Sequence, residues 1–439
     1  MSTIFNSFTT TNSTYGNFYE NFKQKVKEDQ ERRRRLCEEY HKNMSSYYND
    51  NYQTNTLRNN FDNYNDNNNK NYHYNNSNFN TINNNIRTKT PNLLPNDPSV
   101  VENIFSSLTG LINLGNTCYI NSCIQNLIHC PPFIYKFLEV CNIIFQKKIR
   151  ETPISKAFYE LLTQIYENNN REDYINPVNF VENITSLHKQ FYGNKEHDTQ
   201  EFCRFLLQDF NYELNEVVSP SSYKKELEKN RNKKQMFLNY LDDCLSKENS
   251  IITDTFIGYF SFEYDCDCGF KEFSFSQFLD LPVQMNSNSS RYDLFQMIQE
   301  SFCRKSYVDM GENCSFCNRT SKKYEMMKIA LLPQILIISL QRINPYSGTK
   351  NDSPVKFYEG MDLRDIVDTE ISDITYTKYN LFAVTNHVGK INTGHYFSYI
   401  KIGKNWYCFE DSKVYKVGYQ IDMTSKEAYT FFYIKTNIK

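Results

Sequence analysis

The 439-residue sequence contains no uninterrupted apolar run of the roughly 18 residues that a membrane-spanning helix needs. Its start, MSTIFNSFTTTNSTYGN, lacks the basic beginning and apolar core of a secretory signal peptide, and it is too poor in arginine for a typical transit peptide. A strong charge bias is also missing, since the formal net charge is −2. These absences predict a cytosolic or nuclear protein whose partners include neither a membrane nor a nucleic acid.

The cysteines do not have the even number and regular spacing of a disulfide scaffold. There are 13 of them, scattered along the chain, and only Cys266, Cys268, Cys314 and Cys317 form close pairs. This pattern favours reduced thiols. We therefore interpret the paired cysteines as candidate metal ligands and expect a candidate nucleophile among the isolated ones.

Composition divides the chain near residue 100. Residues 43–95 are dominated by Asn, Tyr and Asp, with too few aliphatic side chains to offset the entropy of ordering, so we predict disorder there. The preceding ENFKQKVKEDQERRRRLCEEYHKN is predicted to form a short, charged, solvated helix. Apolar residues become frequent near Val100. We divide the chain into an N-terminal extension, 1–107, and a folded domain, 108–439, with a charged surface insertion at about 219–250.

A candidate nucleophile lies in the stretch GLINLGNTCYINSCIQNLIHCPPF. A turn-rich LGNT precedes apolar residues at helical spacing, which predicts Cys118 in the first turn of a buried helix. The positive end of the helix dipole lowers the pKa of a thiol at such a position. Asn113 lies on the approach to the same turn, where its amide could donate to an oxyanion beside the backbone N–H of Cys118. The alternative is that Cys118 is a small buried hydrophobe, and this segment alone does not decide between the two.

A candidate base lies in YNLFAVTNHVGKINTGHYFSYIKIGKNWYCFEDSKVY. His395 follows Gly394 and begins an alternating run, so we expect it at a strand end where glycine lets a substrate approach closely. His387 ends the preceding strand and is interpreted as a structural histidine. Glu410 and Asp411 follow the strand WYCF, and either carboxylate could orient the imidazole of His395. The alternative for these two acids is a plain acidic turn after an edge strand.

These segments together resemble those of a known family. GLINLGNTCYINSCIQNL resembles the cysteine box of the ubiquitin-specific proteases, and YNLFAVTNHVG, TGHYFSYIK and WYCFEDSKV resemble their histidine box. EHDTQEFCRFLL, LPQILIISLQR and AYTFFYIK resemble further family segments, so the resemblance extends over residues 108–436 in the family's order. It implies an α+β, papain-like fold with a helical thumb, a β-rich palm and zinc-bearing fingers at 255–330. We expect a monomer whose partners are ubiquitin and ubiquitinated proteins.

The resemblance assigns the catalytic roles residue by residue. Cys118 matches the family's nucleophile, Asn113 its oxyanion-hole asparagine and His395 its base. The family's histidine-orienting residue directly follows the phenylalanine, and that position here is Glu410, with Asp411 as the second acid. Because glutamate is one methylene longer than the usual Asp or Asn, its carboxylate is expected to be displaced by about 1 Å or more, enough to lower the rate. We therefore predict that Asp411 matters at least as much as Glu410.

Two further acids match the family segment that receives the basic tail of ubiquitin. They are Asp198 and Glu201, in EHDTQEF. Asp-x-x-Glu before an apolar run also indicates a helix capping box. The two roles are compatible, because capping occupies only some of the carboxylate lone pairs.

The paired cysteines match the family's zinc-bearing fingers. Cys314-Ser-Phe-Cys317 has the two-residue spacing of a zinc knuckle, but Cys266-Asp-Cys268 is one residue short of Cys-x-x-Cys. Zinc could take Cys266 with a tighter loop, or an oxygen of Asp265, which holds the missing position. The alternative is a degenerate finger that folds without metal.

The sequence thus predicts a ubiquitinyl hydrolase of the thiol type. It would cleave the isopeptide bond after the C-terminal glycine of ubiquitin, with structural zinc and no catalytic cofactor. One alternative is a catalytically weak ubiquitin-binding scaffold. Another is a protease for a ubiquitin-like modifier.

Overall fold

The computed structural model describes most of the chain from Leu94 onward. The described residues are 94, 98–147, 149–168, 171–193, 195–217, 232–285, 291–303, 305–308, 314, 316–319, 323–343, 349–372, 376–390 and 393–436. The predicted charged helix and the Asn-rich tract of the extension lie outside these residues, as does the first part of the predicted surface insertion.

Helices dominate the first half of the described chain and strands the second. The helices are α1 (Pro98–Phe105), α2 (Cys118–Ile128), α3 (Pro131–Lys147), α4 (Pro153–Asn168), α5 (Val178–Leu187), α6 (Thr199–Glu213), α7 (Lys233–Leu245), α8 (Ile251–Thr255) and α9 (Leu294–Phe302). The strands are β1 (Gly110–Leu111), β2 (Tyr174–Ile175), β3 (Gly258–Asp265), β4 (Lys271–Phe278), β5 (Leu281–Gln284), β6 (Tyr292–Asp293), β7 (Lys305–Val308), β8 (Lys323–Leu331), β9 (Ile335–Gln341), β10 (Val355–Lys356), β11 (Gly360–Asp362), β12 (Lys378–Lys390), β13 (Thr393–Ile402), β14 (Asn405–Glu410), β15 (Lys413–Gly418), β16 (Thr424–Ser425) and β17 (Ala428–Lys435).

Helices α1 to α6 and α8 form the thumb. Every residue of α2 is buried, because this helix packs against α3 and α6 within the thumb and against β12 and β13 beyond it. Around it, Phe133, Phe137, Phe158 and Phe210 form a cluster whose ring centroids are 5.1 to 6.2 Å apart. Aromatic pairs at these separations contribute about 0.5–1.5 kcal/mol each beyond their burial. The thumb is therefore a rigid support for the start of α2.

An eight-stranded sheet forms the palm. Its strand order is β15-β14-β13-β12-β17-β9-β5, and β11 pairs with β12 outside this path. All neighbours are antiparallel except β5 and β9. Strand β9, ILIISLQ, is buried along almost its whole length, as expected for a central strand covered on both faces. The ends of β13 and β14 that face the thumb carry His395 and Glu410, the candidate base and one of its candidate partners.

A second sheet of four antiparallel strands, β4-β3-β8-β7, forms the fingers. Helix α7, from the second part of the predicted insertion at 219–250, packs on this sheet. Phe237 and Leu241 are buried there against Tyr259, Ala330 and Ile371. The described part of the segment is thus anchored in the fold by its own small apolar core.

A buried lysine strengthens this anchor. Lys233 Nζ lies 2.9 Å from Glu263 Oε2 and 2.7 Å from Asp368 Oδ2. Asp368 also accepts a hydrogen bond of 2.6 Å from Ser261 Oγ. Burial lowers the pKa of Lys233, but its hydrogen bonds and charge interactions with the two carboxylates raise that pKa above its usual value overall. The lysine therefore stays charged and joins α7 to two parts of the fold.

Among the described residues, no single helix has both the length and the hydropathy to cross a membrane. Helices α2 and α3 meet the two criteria only as a pair, and that pair is bent by 87°.

Candidate active site

Cys118 is the first residue of α2, preceded by Thr117 at the N-cap position. Its side chain is 4% exposed, and α2 packs against β13 at this end. The backbone N–H groups of Tyr119 and Tyr396 lie beside the thiol. Because Tyr396 directly follows His395, the structure brings the predicted nucleophile against the strand that carries the predicted base.

Burial raises the pKa of the Cys118 thiol above its usual value. The N–H groups of Tyr396 and Tyr119 lower that pKa, and the nearby carboxylates of Asp411 and Glu196 raise it. The net direction is opposite to the one expected from the helix start, because desolvation and two negative charges outweigh the amide hydrogen bonds. Formation of the thiolate at neutral pH therefore requires a base.

His395 lies near the start of β13, and Glu410 ends β14. His395 Nε2 and Glu410 Oε1 are 3.4 Å apart, and the two side chains are 32% and 38% exposed. This separation is longer than the 2.7–3.2 Å typical of a hydrogen bond, so the carboxylate is near the imidazole without being closely bonded to it. This long separation agrees in direction with the displacement of the carboxylate that the longer glutamate side chain predicts.

Gly394 leaves room for the ring of His387. A Cβ at residue 394 would lie 2.1 Å from His387 Nε2, so no other residue fits without movement. His387 is buried, and its ring centroid lies 4.4 Å from that of Tyr396. Burial lowers the pKa of His387 to about 4, which keeps the ring neutral. His387 is thus a structural histidine, as predicted, and the glycine accommodates this ring in addition to any approach by a substrate.

Asp411 faces two asparagines and not His395. Its Oδ2 accepts a 2.9 Å hydrogen bond from Asn113 Nδ2, and its Oδ1 accepts a 2.8 Å hydrogen bond from Asn121 Nδ2. Asp411 has a φ of +51°, in the left-handed region, and its carbonyl accepts from the N–H of Leu111 at 2.8 Å. Asp411 therefore fastens the turn after β14 to the loop before α2.

The side-chain oxygen of Asn113 stabilises the loop before α2. Its Oδ1 accepts hydrogen bonds from the N–H groups of Gly115 at 3.0 Å and Thr117 at 3.1 Å. The Nδ2 group carries two hydrogens, and the bond to Asp411 uses one of them. The second hydrogen has no acceptor among the residues that the structure describes.

A family model described as "Ubiquitin carboxyl-terminal hydrolase" matches residues 109–433. The chain belongs to this family. Curated relatives agree with the match: "Ubiquitin carboxyl-terminal hydrolase 2" of Bos taurus is 28% identical over 340 residues, covering 74% of this chain and 55% of the relative. "Ubiquitin carboxyl-terminal hydrolase 4" of Saccharomyces cerevisiae is 27% identical over 360 residues, covering 74% of this chain and 39% of the relative. This chain spans about half the length of the first relatives that it matches.

Solved structures confirm the predicted fold class. The chain resembles "the SAGA Ubp8/Sgf11/Sus1/Sgf73 DUB module bound to ubiquitin aldehyde" with a TM-score of 0.59 and 22% identity, covering 77% of this chain and 71% of that one. A second structure, of the yeast SAGA DUB module with a mutant Sgf73, gives a TM-score of 0.58 at 23% identity, with 77% and 70% covered. Both the family and the α+β architecture inferred from the sequence are therefore confirmed.

The finger sheet carries a cluster of four cysteine sulfurs. Cys266, Cys268, Cys314 and Cys317 have Sγ atoms that all lie within 4.8 Å of one another. The nearest pairs are 3.3 to 3.8 Å apart, close to the ~3.8 Å between sulfurs that Zn–S bonds of about 2.3 Å give in a tetrahedron. Of the two ligands left open by the sequence, the structure brings Cys266 into the cluster. Asp265 lies instead 3.7 Å from Lys271 Nζ.

The two acids expected to meet the ubiquitin tail differ in their surroundings. Asp198 is the N-cap of α6, where its Oδ1 accepts from the N–H of Gln200 at 2.7 Å. Its Oδ2 accepts from the hydroxyl of Tyr429. Glu201 is exposed on the first turn of α6. Capping thus occupies Oδ1 of Asp198 and the hydroxyl of Tyr429 occupies Oδ2, whereas Glu201 faces the solvent.

Two residues at this site were not predicted from the sequence. Asn121 is a buried asparagine of α2, but the same helix also buries Ser122, Gln125 and Asn126, so its polar character alone did not single it out. Glu196 accepts a 2.9 Å hydrogen bond from the N–H of Gly394; it opens the EHDTQEF segment, in which only Asp198 and Glu201 were given roles.

Proposed function

We propose that this chain is a deubiquitinating thiol hydrolase that cleaves the bond after the C-terminal glycine of ubiquitin. The observation that supports this most is the position of the Cys118 thiol, which lies beside the backbone N–H of the residue next to His395, where α2 packs against β13. Thiol hydrolysis needs a thiol and an imidazole that face each other. Helix α2 supplies the thiol of Cys118, and strand β13 supplies the imidazole of His395.

In the proposed reaction, His395 takes the proton of Cys118 and the thiolate attacks the glycine carbonyl carbon. The oxyanion forms beside the second Nδ2 hydrogen of Asn113 and the N–H of Cys118. The protonated His395 then gives its proton to the leaving lysine amine, and an acyl-enzyme thioester remains. Water, deprotonated by His395, attacks the thioester and releases ubiquitin and the free thiol.

We propose that Asp411 acts through Asn113 and that Glu410 acts on His395. Both carboxylate oxygens of Asp411 are bonded to asparagine amides, so its effect on the reaction passes through the oxyanion donor. Glu410 stabilises the imidazolium from 3.4 Å. Zinc bound by the four finger cysteines would hold the tips of the fingers together and supply no chemistry to the reaction.

We further propose that Glu201 receives the basic tail of ubiquitin. Asp198 holds the start of α6 and thereby places Glu201 on its first turn. The cysteines that the structure describes are all free thiols, which supports a reducing compartment, the cytosol or the nucleus. We expect the enzyme to act there as a monomer on ubiquitinated proteins.

Probes with an electrophile at the C-terminus of ubiquitin, or of a ubiquitin-like modifier, test the proposal. Labelling by the ubiquitin probe that disappears in Cys118→Ala is the expected result. Failure of every probe to label would favour the binding scaffold, and selective labelling by another modifier would favour a protease for that modifier.

Metal analysis of the purified protein tests the finger site. The expected result is about one zinc per chain, lost when Cys317 is replaced by serine. Less than about a tenth of an equivalent would refute the metal site, since structural zinc binds tightly at neutral pH.

A further inference from the structure

The start of β13 has an edge that strand β14 does not cover. Strand β14 pairs with β13 from Ser398 onward. Before that point, the N–H groups of Gly394 and Tyr396 point to the same side, because residues two apart in a strand share an orientation. The Tyr396 N–H meets the Cys118 thiol, and the Gly394 N–H meets Glu196 Oε2 at 2.9 Å. The thumb thus holds this edge at two successive outward-facing amides, on either side of His395.

Glu196 is held firmly enough to act as an anchor. It lies two residues before Asp198, which caps α6 and also bonds the hydroxyl of Tyr429 on β17. On the other side of the contact, Gly394 pairs with Gly389 of β12, and the ring of His387 packs over Gly394 where a Cβ would otherwise lie. The hydrogen bond between Glu196 and Gly394 therefore joins two fixed parts of the protein that are 198 residues apart in sequence.

We propose that Glu196 is a positioning residue whose carboxylate holds the start of β13, and thereby His395, in register with Cys118. This inference rests on the proposed function of Cys118 and His395. Hydrogen bonds to a charged acceptor are shorter and stronger than neutral ones, so the carboxylate suits this role. An error of about 1 Å in the position of a catalytic group can lower a rate by ~10²-fold.

Three variants separate the anchoring bond from the charge of Glu196. Glu196→Ala removes the acceptor, and we expect kcat on a fluorogenic ubiquitin amide to fall by about 10- to 100-fold while KM changes by less than about threefold. Glu196→Gln keeps an oxygen for the Gly394 N–H, and we expect it to recover most of the lost kcat. Glu139→Ala, at an exposed glutamate of α3 in the thumb, is the matched control and should behave as wild type.

A second measurement does not depend on ubiquitin. Alkylation of Cys118 by iodoacetamide at neutral pH, followed by mass spectrometry of its peptide, reports how well His395 deprotonates the thiol. We expect slower alkylation in Glu196→Ala and near-normal alkylation in Glu196→Gln. If Glu196 acted only as a negative charge beside Cys118, both variants would be alkylated faster than wild type, and the proposal would be overturned.

A purely structural role would also overturn it. In that case Glu196→Ala would unfold at a lower temperature but keep the kcat and the alkylation rate of wild type. If wild-type protein does not cleave the ubiquitin substrate, the proposed function fails, whereas the alkylation series still decides the role of Glu196.

Discussion

Removal of the Asp411 side chain is expected to impair both the stability of this protein and its proposed catalysis. In Asp411→Ala, Asn121 loses its bond of 2.8 Å and Asn113 its bond of 2.9 Å. Hydrogen bonds to a charged group contribute about 1.5–3 kcal/mol. The loss will be near the lower end, since Asn113 is exposed and Asn121 Nδ2 also lies 3.3 Å from the carbonyls of Leu111 and Ile112.

The backbone of Asp411 adds a second contribution to the stability change. Its φ of +51° is more costly for alanine than for aspartate, by about 1 kcal/mol. Two hydrogen bonds at about 1.5 kcal/mol each and a backbone contribution of about 1 kcal/mol together predict a loss of about 4 kcal/mol in the free energy of unfolding. Asp411→Gly loses the same hydrogen bonds without the backbone strain, so it should be more stable than Asp411→Ala. Urea unfolding of the two variants measures this difference.

The catalytic loss should pass through Asn113. Removing an oxyanion donor costs about 10²–10³ in kcat, and we expect Asn113→Ala to fall in that range. Asp411→Ala leaves the donor present but unanchored, so a fall of about 10- to 100-fold is expected. The double variant should then be no slower than Asn113→Ala alone, because the two residues act as one unit.

Steady-state hydrolysis of a fluorogenic ubiquitin amide provides these kcat values. Two results would contradict the coupling of Asp411 to Asn113. One is an Asp411→Ala variant with the kcat of wild type, and the other is a double variant whose losses multiply. Either would show that the contact seen in the structure has no part in oxyanion binding.

Further predictions concern other charged groups of the enzyme. Glu410→Ala should lower kcat by only about tenfold, because its carboxylate is exposed and 3.4 Å from His395; a fall beyond ~10³-fold in the same assay would instead show a tightly coupled triad. Burial raises the pKa of Glu213 to about 7, so the folded state keeps a proton that the unfolded state has released. Stability should therefore decrease by up to about 3 kcal/mol as the pH rises from about 4.5 to 7. Urea unfolding across this range should show a flatter dependence for Glu213→Gln, and equal slopes would contradict the assignment. Lys233→Met leaves two buried carboxylates without this cation and should cost about 3–5 kcal/mol in the same measurement. Lys234→Met, its exposed neighbour, is the control, and equal unfolding midpoints for the two variants would refute a stabilising role for Lys233.

The local features of the site were predictable because short-range patterns encode them. Helical periodicity after LGNT placed Cys118 at a helix start, and α2 begins at that residue. Alternation from His395 onward predicted a strand, and β13 begins two residues earlier, at Thr393. The Asp-x-x-Glu spacing indicated a capping box, and Asp198 is the N-cap of α6, although the described contacts include no reciprocal bond from Glu201. In each case the deciding contacts lie within a few residues of each other.

The sequence by itself therefore determined the family, the chemical types at the site and the local elements that carry them. Only the tertiary structure decided which carboxylate meets which partner. Asp411 reaches Asn113 across 298 residues, Glu196 reaches Gly394 across 198, and Cys266 reaches Cys317 across 51. No local pattern encodes such pairs, because packing of the whole thumb against the palm, and of one finger hairpin on the next, brings them together. The pKa of Cys118 is raised, although its position at a helix start predicted a lowered one, for the same reason. The helix start acts locally, whereas burial and the charges of Asp411 and Glu196 arise only when the thumb and palm come together.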